Sequence, residues 1–124
     1  MKVLELFKMR ARAVYYRIAK RQDQMISVKA RIGSRVELEG RNSIGKYSVL
    51  SHSKIGYGTY IGDRSALMGC KVGKFCSIAP DVKRISGTHP ISFASTHPAF
   101  YSPNHPSGLH FVKEQKFEEY VYAD

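Results

Sequence analysis

Ten aliphatic residues recur along this chain at a period of six: Ile26, Ile32, Leu38, Ile44, Leu50, Ile55, Ile61, Leu67, Val72 and Ile78. The steps are 6, 6, 6, 6, 5, 6, 6, 5 and 6. Ile, Leu and Val make up only 24 of the 124 residues, so composition alone does not produce ten such hits in succession. Two positions earlier the side chain is usually small, at Ala30, Ser48, Ser53, Thr59, Ser65, Cys70 and Cys76. Alternate residues of a strand share a face, so the small and the aliphatic residue both point inward. Glycine follows at Gly33, Gly45, Gly56, Gly62 and Gly73, read as the residue that lets the backbone turn through dihedrals others avoid. Short strands and turns whose equivalent positions stack are the signature of a parallel β-helix. An antiparallel sandwich would need longer strands, spaced by about eight to twelve residues. Residues 26–82 therefore predict about three coils of three hexads, close to the smallest stack that buries a continuous core.

Residues 1–25 read differently. Leu4, Phe7, Ala11, Val14, Tyr15 and Ile18 fall on one helical stripe. Lys2, Lys8, Arg10, Arg12, Arg17, Lys20 and Arg21 stand against Glu5 and Asp23, giving +5 of the chain's net +10. This is a basic amphipathic helix, suited to docking on its own domain or on a partner subunit. It is also suited to an anionic membrane surface. A charge excess could also serve nucleic acid, but no recognised binding motif accompanies it, and no nucleic-acid partner is expected. No run of eighteen apolar residues exists to span a bilayer. Charges at Glu5, Lys8, Arg10 and Arg12 interrupt what a secretory signal would keep apolar. The expected location is cytoplasmic, at most peripheral at the inner membrane face. Cys70 and Cys76 form no disulfide framework or metal-ligand spacing. They read as small residues of the coil interior.

At Val82 the period stops. Residues 83–124 read as an excursion loop, and 83–117 carry His89, His97, His105 and His110 with four of the five prolines. Long loops projecting from repeat proteins are commonly where chemistry is placed.

The segments Ile55-Gly-Tyr-Gly-Thr-Tyr-Ile-Gly62 and Val72-Gly-Lys-Phe-Cys-Ser-Ile-Ala-Pro-Asp-Val82 resemble the hexapeptide-repeat acyltransferase superfamily. The continuation Gly87-Thr-His-Pro90 and Ser95-Thr-His-Pro-Ala-Phe-Tyr-Ser102 is similar to its xenobiotic and polysaccharide O-acetyltransferase branch. The resemblance covers roughly residues 26–122. It implies an all-β fold with a left-handed coil, a homotrimer, and acetyl-CoA as co-substrate between neighbouring coils. The implied acceptor is a hydroxyl of a saccharide in surface polysaccharide or lipopolysaccharide biosynthesis, or else of an antibiotic-like small molecule. His89 of the Gly-x-His-Pro segment is the implied general base, a task that imidazole suits because it titrates near neutrality. His97 stands where relatives often show Tyr, which implies acceptor-site packing. Phe100 and Tyr101 could stack on a sugar ring or pin the loop to the coil. No residue for the acyl-CoA site is identified.

The same coil also serves γ-class carbonic anhydrases, whose zinc sits on three histidines. His105 and His110 have a usable spacing, but the histidines cluster in one loop, so no metal is expected. Members of the branch normally continue into a second block of hexads opened by Ile-Gly-x-x-Val-Trp-Ile-Gly. This chain has no Trp and stops at Asp124, so the sequence predicts a form truncated after the catalytic loop. A non-catalytic β-helix scaffold is the competing expectation.

Overall fold

The computed structural model describes residues 3–19, 24–84, 86–105 and 107–121. The chain divides into two compact units, one reaching residue 85 and a second spanning Ser86–Val121. The first opens with helix α1 (Val3–Ala19). It continues through β1 (Gln24–Ile26), β2 (Arg31–Ile32), β3 (Glu37–Leu38), β4 (Asn42–Ile44) and β5 (Val49–Ser51). It closes with β6 (Lys54–Ile55), β7 (Tyr60–Ile61), β8 (Ala66–Met68), β9 (Lys71–Val72) and β10 (Ser77–Ile78).

These strands form three parallel sheets, β1-β4-β7-β10, β2-β5-β8 and β3-β6-β9. The architecture is a parallel β-solenoid of three turns with β10 opening a fourth. Its register follows the aliphatic period. Ile26 lies beside Ile44, Ile44 beside Ile61 and Ile61 beside Ile78. A second ladder is Ile32, Leu50 and Leu67, and a third is Leu38, Ile55 and Val72. The two five-residue steps, Leu50 to Ile55 and Leu67 to Val72, both fall at the corner between the second and third sheets. They are one shortened corner used twice. The inward aliphatic residues from Ile26 to Leu67 are buried, apart from the half-buried Leu38, and each contributes about 1.5–3 kcal/mol.

The small inward residues do more than fill space. Ser48 Oγ donates to Gly62 O at 2.7 Å and accepts from Ser65 N at 3.1 Å. Thr59 Oγ1 donates to Gly73 O at 2.7 Å and accepts from Cys76 N at 3.0 Å. Ser53 and Ser65 repeat the pattern onto Leu67 O and Cys70 N, and onto Ala79 O and Val82 N. Each buried hydroxyl therefore binds one coil to the next through a backbone carbonyl and a backbone amide, and Ser53 Oγ also donates to Ser51 O of its own coil at 2.8 Å.

The glycines after the aliphatic positions have a different role from the one the sequence suggests. None of Gly33, Gly45, Gly56, Gly62 or Gly73 has a left-handed φ. A Cβ on Gly33 would lie 2.9 Å from Leu50 O, and on Gly45, Gly56 or Gly62 it would run into backbone of the following coil. The first four are small because adjacent coils approach closely there, whereas a Cβ on Gly73 would meet only Cys76 Sγ at 3.7 Å. The sharp turns fall instead to Arg35, Arg41, Tyr47, His52, Arg64, Phe75 and Asp81, all with φ between 48 and 62°, and to Gly58 and Gly69 in the same series. Such conformations cost each non-glycine residue about 1–2 kcal/mol. The amides of His52, Arg64, Phe75 and Asp81 offset this by donating to the preceding coil at 2.8–2.9 Å.

Helix α1 packs on the first coil, but not through its apolar stripe. Ala13 is buried with Ile26, Ala30 and Ile32, and Tyr16 packs against that cluster with its hydroxyl 3.4 Å from Val36 O. Leu6 and Met9 are half-buried on the same side. Leu4, Phe7, Val14, Tyr15 and Ile18 stay exposed. The methyl of Ala13, at the centre of this contact, lets the helix axis approach the end of the coil. No helix among the described residues is long and apolar enough to cross a membrane.

Candidate functional site

The Ser86–Val121 unit has almost no regular secondary structure, and a few backbone pairings hold it. Gly87 bridges Tyr120 in antiparallel sense, Val121 N donates to Ser86 O at 3.0 Å, and Thr88 N donates to Glu119 O at 2.7 Å. This pairing places His89, one residue further on, beside the 119–121 segment. A single 3-10 turn at Pro98–Phe100 is capped by His97, whose Nδ1 accepts from Ala99 N at 3.1 Å. Proline at the first turn position suits that geometry, because its missing N–H needs no partner there. Ala99 O and Tyr101 O then accept from Phe111 N at 2.8 Å and Lys116 N at 2.7 Å. These bonds fix Tyr101 from both sides.

Tyr101 is the centre of the unit. It is fully buried, and its ring meets those of Phe93 and Phe117 edge-on at 6.3 and 5.5 Å between centroids. Its hydroxyl lies 3.0 Å from His89 Nδ1. Burial first, then the charge of the nearby Glu119 carboxylate, hold Tyr101 above the ordinary tyrosine range. The bond to His89 can run either way: Nδ1–H donating to the phenol oxygen leaves the imidazole lone pair on Nε2, and the phenol O–H donating to Nδ1 leaves the ring proton on Nε2. His89 itself is exposed. The arrangement is thus a buried phenol in hydrogen-bond contact with a solvent-facing imidazole, with the half-buried Glu119 near by.

The other sequence candidates fall elsewhere in the unit. His97 is committed through Nδ1 to its turn and stacks on His105 at 5.1 Å between ring centroids. Phe100 is exposed and pairs with Phe111 at 5.1 Å and 39° between planes, which makes a two-ring apolar surface. Tyr101, with no exposed face, offers no stacking surface and holds His89 instead. His105 Nδ1 bonds Ser107 Oγ at 2.8 Å rather than pairing with His110. Among the described residues no three His, Cys, Asp or Glu side chains gather as a metal site would require. Cys70 and Cys76 are half-buried free thiols at the coil corners.

Glu119, Phe93, Phe111 and Phe117 join the site without any sequence signal that singled them out. A hollow of about 460 Å³ lies in the coil unit, bordered by Arg17, Met25, Ile44, Lys46 and Asp63. No family model, curated protein or solved structure matches the chain.

Proposed function

We propose that this protein is an acetyl-CoA-dependent O-acetyltransferase acting on a saccharide hydroxyl, with His89 as general base. The observation that carries the reading is the buried Tyr101 hydroxyl 3.0 Å from Nδ1 of the exposed His89. In this reading Nδ1–H donates to the phenol oxygen, which leaves Nε2 as the proton acceptor. In the proposed reaction Nε2 takes the acceptor's hydroxyl proton as the new O–C bond forms on the thioester carbonyl. The tetrahedral intermediate then collapses with C–S cleavage, and the imidazolium returns its proton to the departing thiolate. The products are the O-acetyl ester and free coenzyme A, with no covalent enzyme intermediate. Tyr101 is a positioning residue, keeping the Nδ1–H tautomer and the ring orientation through both proton transfers. The exposed Phe100–Phe111 pair supplies the kind of flat apolar surface on which a sugar ring packs.

The same reading takes the solenoid as left-handed and the working form as a homotrimer in polysaccharide or lipopolysaccharide biosynthesis. An antibiotic-like acceptor would use the same chemistry.

The test is to incubate the full chain with acetyl-CoA and a panel of mono- and oligosaccharides, following acetylated product by mass spectrometry. Turnover should fall about 10²–10⁴-fold in His89→Ala. It should fall about 2- to 10-fold in Tyr101→Phe, which loses one orienting hydrogen bond. Turnover unaffected by His89→Ala would refute the assignment, as would no acetyl transfer to any hydroxyl acceptor.

A further inference from the structure

Helix α1 presents two faces, and the coil uses only one. Around Ala13, the side chains of Leu6, Met9 and Tyr16 are buried or half-buried. On the opposite side Val3, Leu4, Phe7, Tyr15 and Ile18 are 61–84% exposed, and Val14 is 37% exposed. At about 100° per residue these six, with Ala11, occupy an arc of about 120°. The arc runs the length of the helix, about 25 Å for 17 residues.

Cations border this arc on both edges. Arg10 and Arg17 follow one side, beside Val3 and Val14. Lys8 and then Arg12 follow the other, beside Tyr15. The described helix carries a single acid, Glu5, which pairs with Lys8 at 3.0 Å. An apolar strip between two cationic rows matches the cross-section of an anionic bilayer surface, with acyl chains below and headgroup phosphates at the level of the rows. It suits other occupants less well. A second copy laid on the same strip would bring like charges together at its edges. A nucleic acid would meet the cations but leave the strip facing water.

We propose that α1 docks this protein on an anionic lipid bilayer, with Leu4, Phe7 and Ile18 entering the acyl boundary. Lys8, Arg10, Arg12 and Arg17 meet the headgroups. The docking stands independently of the acetyl-transfer reading.

The chain has no tryptophan, so Phe7→Trp installs a single fluorescent reporter in the strip. This variant of the full chain is titrated with vesicles of phosphatidylcholine alone and of phosphatidylcholine with about 30% phosphatidylglycerol. The Trp emission should shift to the blue on the anionic vesicles, with affinity at least about tenfold above that for the neutral ones. The affinity should fall about tenfold or more between low and high salt. Adding Leu4→Asp and Ile18→Asp should abolish the shift while far-UV circular dichroism and the melting temperature stay unchanged. Arg10→Gln with Arg17→Gln, which leaves the apolar strip intact, should lower anionic-vesicle affinity about tenfold.

An unshifted emission with anionic vesicles would overturn the proposal, and so would equal affinity for both compositions. A finding by sedimentation that Leu4→Asp with Ile18→Asp dissociates an oligomer that ignores vesicles would assign the strip to a second copy instead.

Discussion

Replacing Thr59 with valine separates two accounts of what holds successive coils together. The side chain is fully buried, and its Oγ1 donates to Gly73 O at 2.7 Å while accepting from Cys76 N at 3.0 Å. Valine keeps the shape and exchanges the hydroxyl for a methyl, so packing is preserved and one carbonyl and one amide lose their partner. A buried group left unsatisfied costs about 1–3 kcal/mol. Gly73 is exposed and Cys76 half-buried, so water recovers part of the loss. The expected cost is therefore about 2–3 kcal/mol in total. At about 4 °C per kcal/mol for a chain of this size, melting should fall by about 8–12 °C. Thr59→Ser retains the hydroxyl and removes one buried methyl, which should cost only about 1 kcal/mol. Thermal and urea unfolding followed by far-UV circular dichroism should rank wild type above Thr59→Ser and Thr59→Ser above Thr59→Val. If only packing mattered, the order of the two variants would reverse. A Thr59→Val protein as stable as wild type would refute the hydroxyl-ladder reasoning.

Gly62→Ala should destabilise by about 1–3 kcal/mol, because its Cβ meets the backbone at Pro80. Gly73→Ala, whose nearest contact is Cys76 Sγ at 3.7 Å, should lie within about 1 kcal/mol of wild type. Equal losses in urea unfolding would restore the turn reading of these glycines. The raised Tyr101 phenol has a folded pKa above its unfolded value near 10. Its stabilising contribution is therefore complete below that pH and is lost as pH rises through the folded value. Absorbance at 295 nm should show one of the eight tyrosines ionising after the others, and Tyr101→Phe should remove that late step. A Tyr101 that titrates with the rest would contradict its burial.

The coil register was legible because each aliphatic residue of the hexads sits on a ladder with its equivalents, from Ile26 beside Ile44 to Ile55 beside Val72. The roles of small residues were not, because a glycine at a sharp turn and a glycine at a close approach look alike in sequence. Only the coil stacked on Gly62 tells them apart. The face of α1 that docks was likewise hidden. Its apolar stripe is the stronger sequence signal, but the contact is made through Ala13 against Ile26 and Ile32. His89 was visible as a loop histidine before proline. Glu119 was not, since the pairing that brings it near joins residues about thirty apart with no periodicity to announce it. Tyr101 was visible as an aromatic, but its burial, and hence its role on His89 rather than on a sugar, depends on Phe93 and Phe117 closing over it.

The functional account rests on one imidazole carrying its proton on Nδ1 and its lone pair on Nε2. Nitrogen-15 NMR of the histidine-labelled full chain, with His89 assigned by its absence from His89→Gln, reads that tautomer directly. In its neutral form, wild-type His89 should show a protonated Nδ1 and an unprotonated Nε2, and Tyr101→Phe should shift it toward the other tautomer or a mixture. A neutral His89 protonated on Nε2 in the wild type would contradict that role, and so would a tautomer indifferent to Tyr101→Phe.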